Sequence, residues 1–398
     1  MSPDAAIVRE KLDQAPAILA EQGVDLWLTL VRETLLTRDP SLDLVAGTYC
    51  AWQSAFLVSS SGERVAIVGR HDMSSVEQLE AYSEVVGYDE SIRPPLREAI
   101  EQLAPESIAL NYSESDPAAD GLTHGLWLVL REALEGTPYA DRVASSAPVV
   151  NSLRGRKSPS EVARIRAAVA ETEAIFALVG EQLRAGLKET EIAALLHAEV
   201  SRRGLGYAWE PSHCPAVNAG PEKDVGHSAP SALETRRGEL LHCDFGVEKD
   251  GYCSDLQRGW YLLDEGESEP PADVRSAWEA VWAAVDAGAA KLRPGAVGHE
   301  VDAAARERLV SAGFPEPKYA LGHQLGRSAH DGGTILGPRW DRYGVAPLGT
   351  IEEGNVFTLE YGAAVPGRGY VGLEEDVLVT SDGVEWLSSP QRDLWLVG

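Results

Sequence analysis

The sequence predicts an α/β amino-terminal domain followed by an α+β domain with an internal repeat. Three observations predict it. Strand and helix patterns alternate through the first 150 residues, a 23-residue helical segment recurs later in the chain, and two hairpins near the repeats each carry a pair of acids. The expected domains are residues 1–153 and 154–398.

In the first domain the apolar runs DLWLTL, SAFLVSS, RVAIVG and SIALNY read as strands, with helical stretches such as PPLREAIEQLA between them. The basic RGRK at 154–157 reads as a connector. SPSE then opens a helix, with Ser158 as cap, Pro159 in the first turn and Glu161 closing a capping box. The repeat pairs LRAGLKETEIAALLHAEVSRRGL (183–205) with LRPGAVGHEVDAAARERLVSAGF (292–314), without gaps, at an offset of 109. Each copy ends in a glycine suited to stop a helix. Two Ala-rich amphipathic helices can look alike by chance, but each copy here leads into strand-rich sequence.

The first of those strand regions is CDFGVEKDGYCSD (243–255), a hairpin with Asp250-Gly251 as turn signal. Folding it between Lys249 and Asp250 places Asp244 opposite Asp255, with Cβ atoms about 5 Å apart, where like charges repel. The second is NVFTLEYGAAVPGRGYVGLEEDVLVTSDG, which folds about Gly367 and sets Glu360 opposite Glu374. Either hairpin alone fits acids standing in solvent. Two such pairs in one chain point to cations, because converging carboxylates in a partly buried site need a counter-charge, and divalent metals take oxygen ligands. Nitrogen donors are at hand in GHQLGRSAHDGG, with His323 and His330, and in PEKDVGHSAP, with His227. The spacing is not that of a helical HExxH site. Two metals about 3.5–4 Å apart would activate a water and stabilise a tetrahedral intermediate.

Composition narrows the alternatives. The 398 residues are 44% hydrophobic and 24% charged, ordinary for a globular protein, and long enough for two cores. The 35 basic and 62 acidic residues give a net charge of −27, which disfavours nucleic acid and anionic membranes as partners. No apolar run has the length of a membrane span and the charged amino terminus has no signal-peptide core, so a cytoplasmic protein is expected. The four cysteines form no CxxC pair and are expected to be reduced thiols. GRGYVG (367–372) matches the dinucleotide-binding pattern but turns into a strand, not a helix, and DFG (244–246) lacks the remaining kinase motifs.

With these residues in view, the chain resembles the pita-bread metallopeptidases: methionine aminopeptidase, aminopeptidase P and prolidase. The Asp–Asp spacing of eleven, the GHxxGxxxHD segment and the LEEDVLVT ending carry the resemblance. It implies a creatinase-like amino-terminal domain and a pita-bread catalytic domain with pseudo-two-fold symmetry. It also implies five metal ligands, Asp244, Asp255, His323, Glu360 and Glu374, holding two divalent ions. Mn²⁺ suits a set rich in oxygen, with Zn²⁺ and Co²⁺ as alternatives. Asp255 and Glu374 would bridge the ions, and Glu360 would take a proton from a metal-bridging water or hydroxide. His227 and His330 would steady the substrate carbonyl.

The HD and LEED elements lean toward prolidase, so the expected activity is hydrolysis of Xaa-Pro dipeptides in the cytoplasm by a homodimer. Alternatives are an aminopeptidase P acting on longer Xaa-Pro peptides, a creatinase-like C–N hydrolase and a binding protein on the same fold. A dipeptidase needs a guanidinium for the substrate carboxylate. The candidates are Arg339, Arg342 and Arg368, and Arg339 is favoured by its resemblance to a substrate-side arginine of aminopeptidase P. Two positions depart from the family. Tyr361 follows Glu360 where proline is usual, and Gly372 stands where an arginine is common.

Overall fold

The computed structural model describes residues 5–222, 226 and 228–398. The chain divides into two compact units, Met1–Ser158 and Pro159–Gly398.

In the first unit six helices, α1 (Ala5–Gln22), α2 (Leu42–Val45), α3 (Met73–Glu77), α4 (Arg93–Leu103), α5 (His124–Ala133) and α6 (Ala147–Gly155), flank a mixed sheet. Its strands are β1 (Leu26–Val31), β2 (Ser54–Ser59), β3 (Arg64–Gly69), β4 (Glu84–Tyr88), β5 (Ile108–Leu110) and β6 (Val143–Ser145), in the order β4-β3-β2-β1-β5-β6. Strands β1 and β2 are buried throughout and mostly apolar because helices cover both faces. Arg154 and Gly155 finish α6 instead of forming a connector. The buried Lys11 ammonium explains why, since it donates to the carbonyls of Leu153 and Arg156 and ties this helix end to α1.

The second unit has helices α7 (Pro159–Gly180), α8 (Glu189–Arg203), α9 (Ala272–Lys291) and α10 (Gly298–Ser311). Its strands are β7 (Gly206–Tyr207), β8 (Ala216–Ala219), β9 (Leu240–Phe245), β10 (Val247–Lys249), β11 (Tyr252–Cys253), β12 (Leu256–Leu262), β13 (Val356–Val365), β14 (Gly369–Thr380), β15 (Gly383–Trp386) and β16 (Trp395–Val397). The main sheet runs β13-β14-β12-β9-β8, with β15 on β14 and β16 on β12.

The repeat is structural. Gly186 and Gly295 share φ of 86° and 85°, and the matched Lys188 and Val297 each form an isolated bridge, to Glu234 and Thr350. One core joins α7 and α8 to residues 241, 243, 245 and 256 of the sheet. A second joins α9 and α10 to residues 357, 359, 361, 371 and 373. Alternation along a strand then sends residues 244, 257, 358, 360, 372, 374 and 376 to the opposite face. That face carries the acids. The four cysteines are buried free thiols.

The two hairpins differ in how well their registers were foreseen. Glu360 pairs with Glu374 as expected. Asp244, however, pairs with Gln257, not Asp255. The turn is Asp250-Gly251, with φ of 52° and 78°, closed by Lys249 opposite Tyr252. Both central residues of this tight hairpin turn need positive φ, which Asp-Gly supplies and Lys-Asp does not. Moving the turn centre by one residue moves the pairing by two, so Asp255 stays on the same face as Asp244.

On the helix side of the same row, the guanidinium of Arg258 donates to both oxygens of the fully buried Glu375, at 3.2 and 3.1 Å. It also donates to the carbonyls of Gln257 and Glu374, at 2.9 and 3.1 Å. Ser388 and the backbone of Gln391 complete the Glu375 shell. Removing one partner leaves a buried charge unpaired, so Arg258→Met should lower the unfolding free energy by about 3–5 kcal/mol. Urea denaturation should show that loss, with part of it recovered in the Arg258→Met/Glu375→Leu double variant.

Candidate metal centre

Four adjacent strands bring one transverse row together: Asp244 on β9, Gln257 on β12, Glu374 on β14 and Glu360 on β13. Asp255 lies just before β12 and is next to Asp244, within reach of sharing a proton with it. His323 approaches from the segment between α10 and β13. Its backbone is pinned by Thr358, whose hydroxyl accepts from the His323 N–H at 3.2 Å and whose own N–H donates to the His323 carbonyl at 2.9 Å.

The imidazole faces the acids. His323 Nε2 is 3.8 Å from Asp255 Oδ2, 3.8 Å from Glu374 Oε1 and 4.0 Å from Glu360 Oε1. On the far side of the ring Nδ1 lies 3.3 Å from the Gln324 carbonyl, an arrangement that places the proton there and leaves the Nε2 lone pair toward the carboxylates. Among the described residues, Asp255, His323 and Glu374 form a group whose ligand atoms lie within 4.8 Å of one another.

The carboxylates are short of partners. Asp244 Oδ1, Asp255 Oδ1 and Glu374 Oε1 are buried and accept no hydrogen bond from the described residues. Burial pushes the Asp244 carboxyl up to about 7. Burial and the Asp244 charge push Glu360 up to about 8. Asp255 and Glu374 are raised well above the ordinary range, by burial first and then by the surrounding acids. Orphaned acceptors, one aimed imidazole nitrogen and mutual repulsion among acids are what a divalent cation would relieve, and the donor set of four carboxylates and one imidazole fits such ions.

The remaining predicted residues are dispersed. His330 is exposed and packs edge-on against His323, with ring centroids 4.3 Å apart. His227 lies outside the described residues. Arg368 is engaged elsewhere, donating to Asp273, the Gly238 carbonyl and the Tyr261 hydroxyl. Arg342 stacks on Trp340 and Tyr343 and donates to the Lys318 carbonyl. Arg339 is exposed and has no hydrogen bond, ion pair or ring contact among the described residues.

Two buried residues of the site went unnoticed in the sequence. Asp376 accepts from the Asp255 N–H at 3.2 Å, while its Oδ1 has no hydrogen-bond partner among the described residues. The Gln257 amide nitrogen lies 3.0 Å from both Glu360 and Glu374. Each stands two residues beyond a predicted ligand, so strand alternation was the available signal.

Residues 163–381 match the family model described as metallopeptidase family M24. The chain belongs to this family. As an M24 member it is a metallopeptidase, with peptides as its substrate class. An Xaa-Pro dipeptidase of Lactobacillus helveticus is 26% identical over 280 residues, 70% of this chain and 71% of that protein. An uncharacterized peptidase of Staphylococcus saprophyticus is 24% identical across 96% of this chain and 100% of its own length. Among solved structures, an Xaa-Pro dipeptidase from Bacillus anthracis superposes with a TM-score of 0.73 at 22% identity, covering 98% of this chain and 100% of that one. An X-Pro aminopeptidase from Thermotoga maritima gives 0.71 at 23%, covering 97% and 99%. This near-complete coverage establishes the two-domain pita-bread fold of the M24 chain. No described helix is long and apolar enough to cross a membrane.

The raised carboxyls set the sign of a pH dependence. Asp244 and Glu360 release their protons near 7 and 8 when folded, against 3.8 and 4.5 ordinarily. Between those limits the unfolded chain binds fewer protons, so raising the pH favours unfolding. The melting temperature of the cation-free protein should therefore fall between about pH 5 and about pH 8. Added Mn²⁺ should restore more of it at the upper end, and Glu360→Gln should flatten the slope. A melting temperature that rises across this range would contradict the assignment.

Proposed function

We propose that this metallopeptidase hydrolyses Xaa-Pro bonds, in dipeptides by preference, with two divalent cations held by Asp244, Asp255, His323, Glu360 and Glu374. The observation that carries the reading is the convergence of Asp255, Glu360 and Glu374 oxygens on His323 Nε2 at 3.8–4.0 Å, beside orphaned carboxylate oxygens. The bound cations would supply Lewis-acid polarisation of the scissile carbonyl and of the attacking water. Mn²⁺ suits the predominance of oxygen donors.

The chain's own groups do the rest. Asp255 and Glu374, the most buried of the four proposed carboxylate ligands, would be shared between the two cations. Glu360, partly open, would be ionised beside bound cations and is placed to take the proton of the attacking water and pass it to the leaving proline nitrogen. His330, exposed beside His323, would hydrogen-bond the carbonyl oxygen as negative charge grows on it. His227 keeps a similar role on sequence grounds. Arg339, with its guanidinium uncommitted among the described residues, would bind the carboxylate of a dipeptide.

Metal analysis combined with assays of an Xaa-Pro dipeptide, a longer Xaa-Pro peptide and creatine tests the reading. The expected result is two cations per chain and fastest turnover of the dipeptide. Fastest turnover of the longer peptide would make the protein an aminopeptidase P, and hydrolysis of creatine alone would overturn the peptidase reading. Asp255→Ala or Glu374→Ala should abolish hydrolysis with loss of bound metal. His330→Ala should keep the metal and lower kcat by roughly 10²–10⁴-fold. Arg339→Ala should raise KM for dipeptides far more than for their amides, and equal effects would remove it as the carboxylate clamp.

A further inference from the structure

Gln257 occupies the position in the transverse row between Asp244 and Glu374, where a further carboxylate would add to the repulsion. Its side chain is buried, as are those of His242 and Asn218. A primary amide has two N–H donors and one acceptor oxygen. Both donors are spent on the glutamates, reaching Glu360 Oε2 and Glu374 Oε2 at 3.0 Å each. With both glutamates ionised around a cation, the opposite amide orientation would set its oxygen against two carboxylate oxygens. The Gln257 oxygen must then accept, and it lies 2.8 Å from His242 Nε2. With its proton on Nε2, His242 accepts at Nδ1 from the Asn218 amide, 3.1 Å away.

The direction of every hydrogen bond in this line is thereby set, from Asn218 through His242 and Gln257 to the two glutamates. Its effect on the site is geometric. With Oε2 of each glutamate held by one amide, Oε1 of each is the atom left facing His323, at 4.0 Å for Glu360 and 3.8 Å for Glu374. The line also fills the space beside Gly372. A Cβ at that position would lie 2.6 Å from His242 Nε2 and 2.9 Å from the Tyr370 ring, and those two rings pack edge-on at 5.5 Å.

We propose that Gln257 is a positioning residue of the metal centre: its amide holds one oxygen of Glu360 and one of Glu374 so that the other oxygen of each is presented to a cation, and His242, supported by Asn218, fixes the amide. This rests on the cation-binding reading of the row, and the test separates the two.

Mn²⁺ is titrated calorimetrically into the cation-stripped full-length protein, and the visible spectrum of the Co²⁺-loaded protein is recorded. Gln257→Met fills the same space without donors. It should weaken Mn²⁺ binding by roughly 10–100-fold and change the Co²⁺ spectrum, with circular dichroism unchanged. His242→Ala should weaken binding less. The double variant should bind no more weakly than Gln257→Met alone, because both changes break one line. If Gln257→Met does not fold, Gln257→Asn, which withdraws the amide by one methylene, is measured against the same expectation. Wild-type affinity and an unchanged Co²⁺ spectrum in the Gln257 variant would overturn the inference, as would additive losses in the double variant. Failure of the wild-type protein itself to bind Mn²⁺ would overturn the cation reading instead.

Discussion

Electrostatic repulsion among buried acids is the constraint around which the second unit is arranged. Asp244, Asp255, Glu360, Glu374 and Asp376 share one face of one sheet, and four of their oxygens accept no hydrogen bond from the described residues. Leaving ionised carboxylates so poorly solvated is costly, so the site holds protons or cations. The groups that contact the acids are donors or neutral: the Gln257 amide, the Asp255 backbone N–H and the His323 imidazole. A lysine or arginine inserted here would neutralise the row and remove its affinity for a metal. The one buried arginine of the row, Arg258, points to the other face, where Glu375 receives it.

The two faces of the sheet are therefore coupled through the backbone. Arg258 holds the carbonyls of Gln257 and Glu374 from the helix side, while the Gln257 side chain holds the Glu374 carboxylate on the acid side. Adjacent residues on one strand thus fix both the strand pairing and the orientation of the acids. The helices contribute by covering only one face, α7 and α8 over one half and α9 and α10 over the other. The duplication of helix pair and hairpin is what brings carboxylates from two distant parts of the chain to one row.

The departures from the family pattern have structural counterparts. Tyr361, where proline is usual, pairs with Leu373 in the β13–β14 ladder. It also sends its hydroxyl to Asp302 at 2.8 Å on the helix side. Gly372, where arginine is common, leaves room for His242 and Tyr370.

The sequence by itself determined the elements that local pattern controls. Apolar runs located β1, β2, β3 and β5 and the strands of the two hairpins, the offset of 109 located the duplication, and PGRG about Gly367 correctly set Glu360 opposite Glu374. The acids and His323 were legible because charged residues at regular positions in apolar strands demand an explanation. Tertiary structure decided what spacing cannot express. The Asp250-Gly251 turn set Asp244 opposite Gln257, because positive φ at both residues outweighed the symmetry of the acid spacing. Tertiary packing also engaged Arg368 with Asp273, Gly238 and Tyr261 and Arg342 with the Lys318 carbonyl, and left Arg339 exposed. Only the packing of five strands drawn from residues 216–219, 240–262 and 356–380 joined Asn218, His242 and Gln257 to the glutamates, since a neutral side chain acquires its partners from the sheet and carries no sign of them in the sequence.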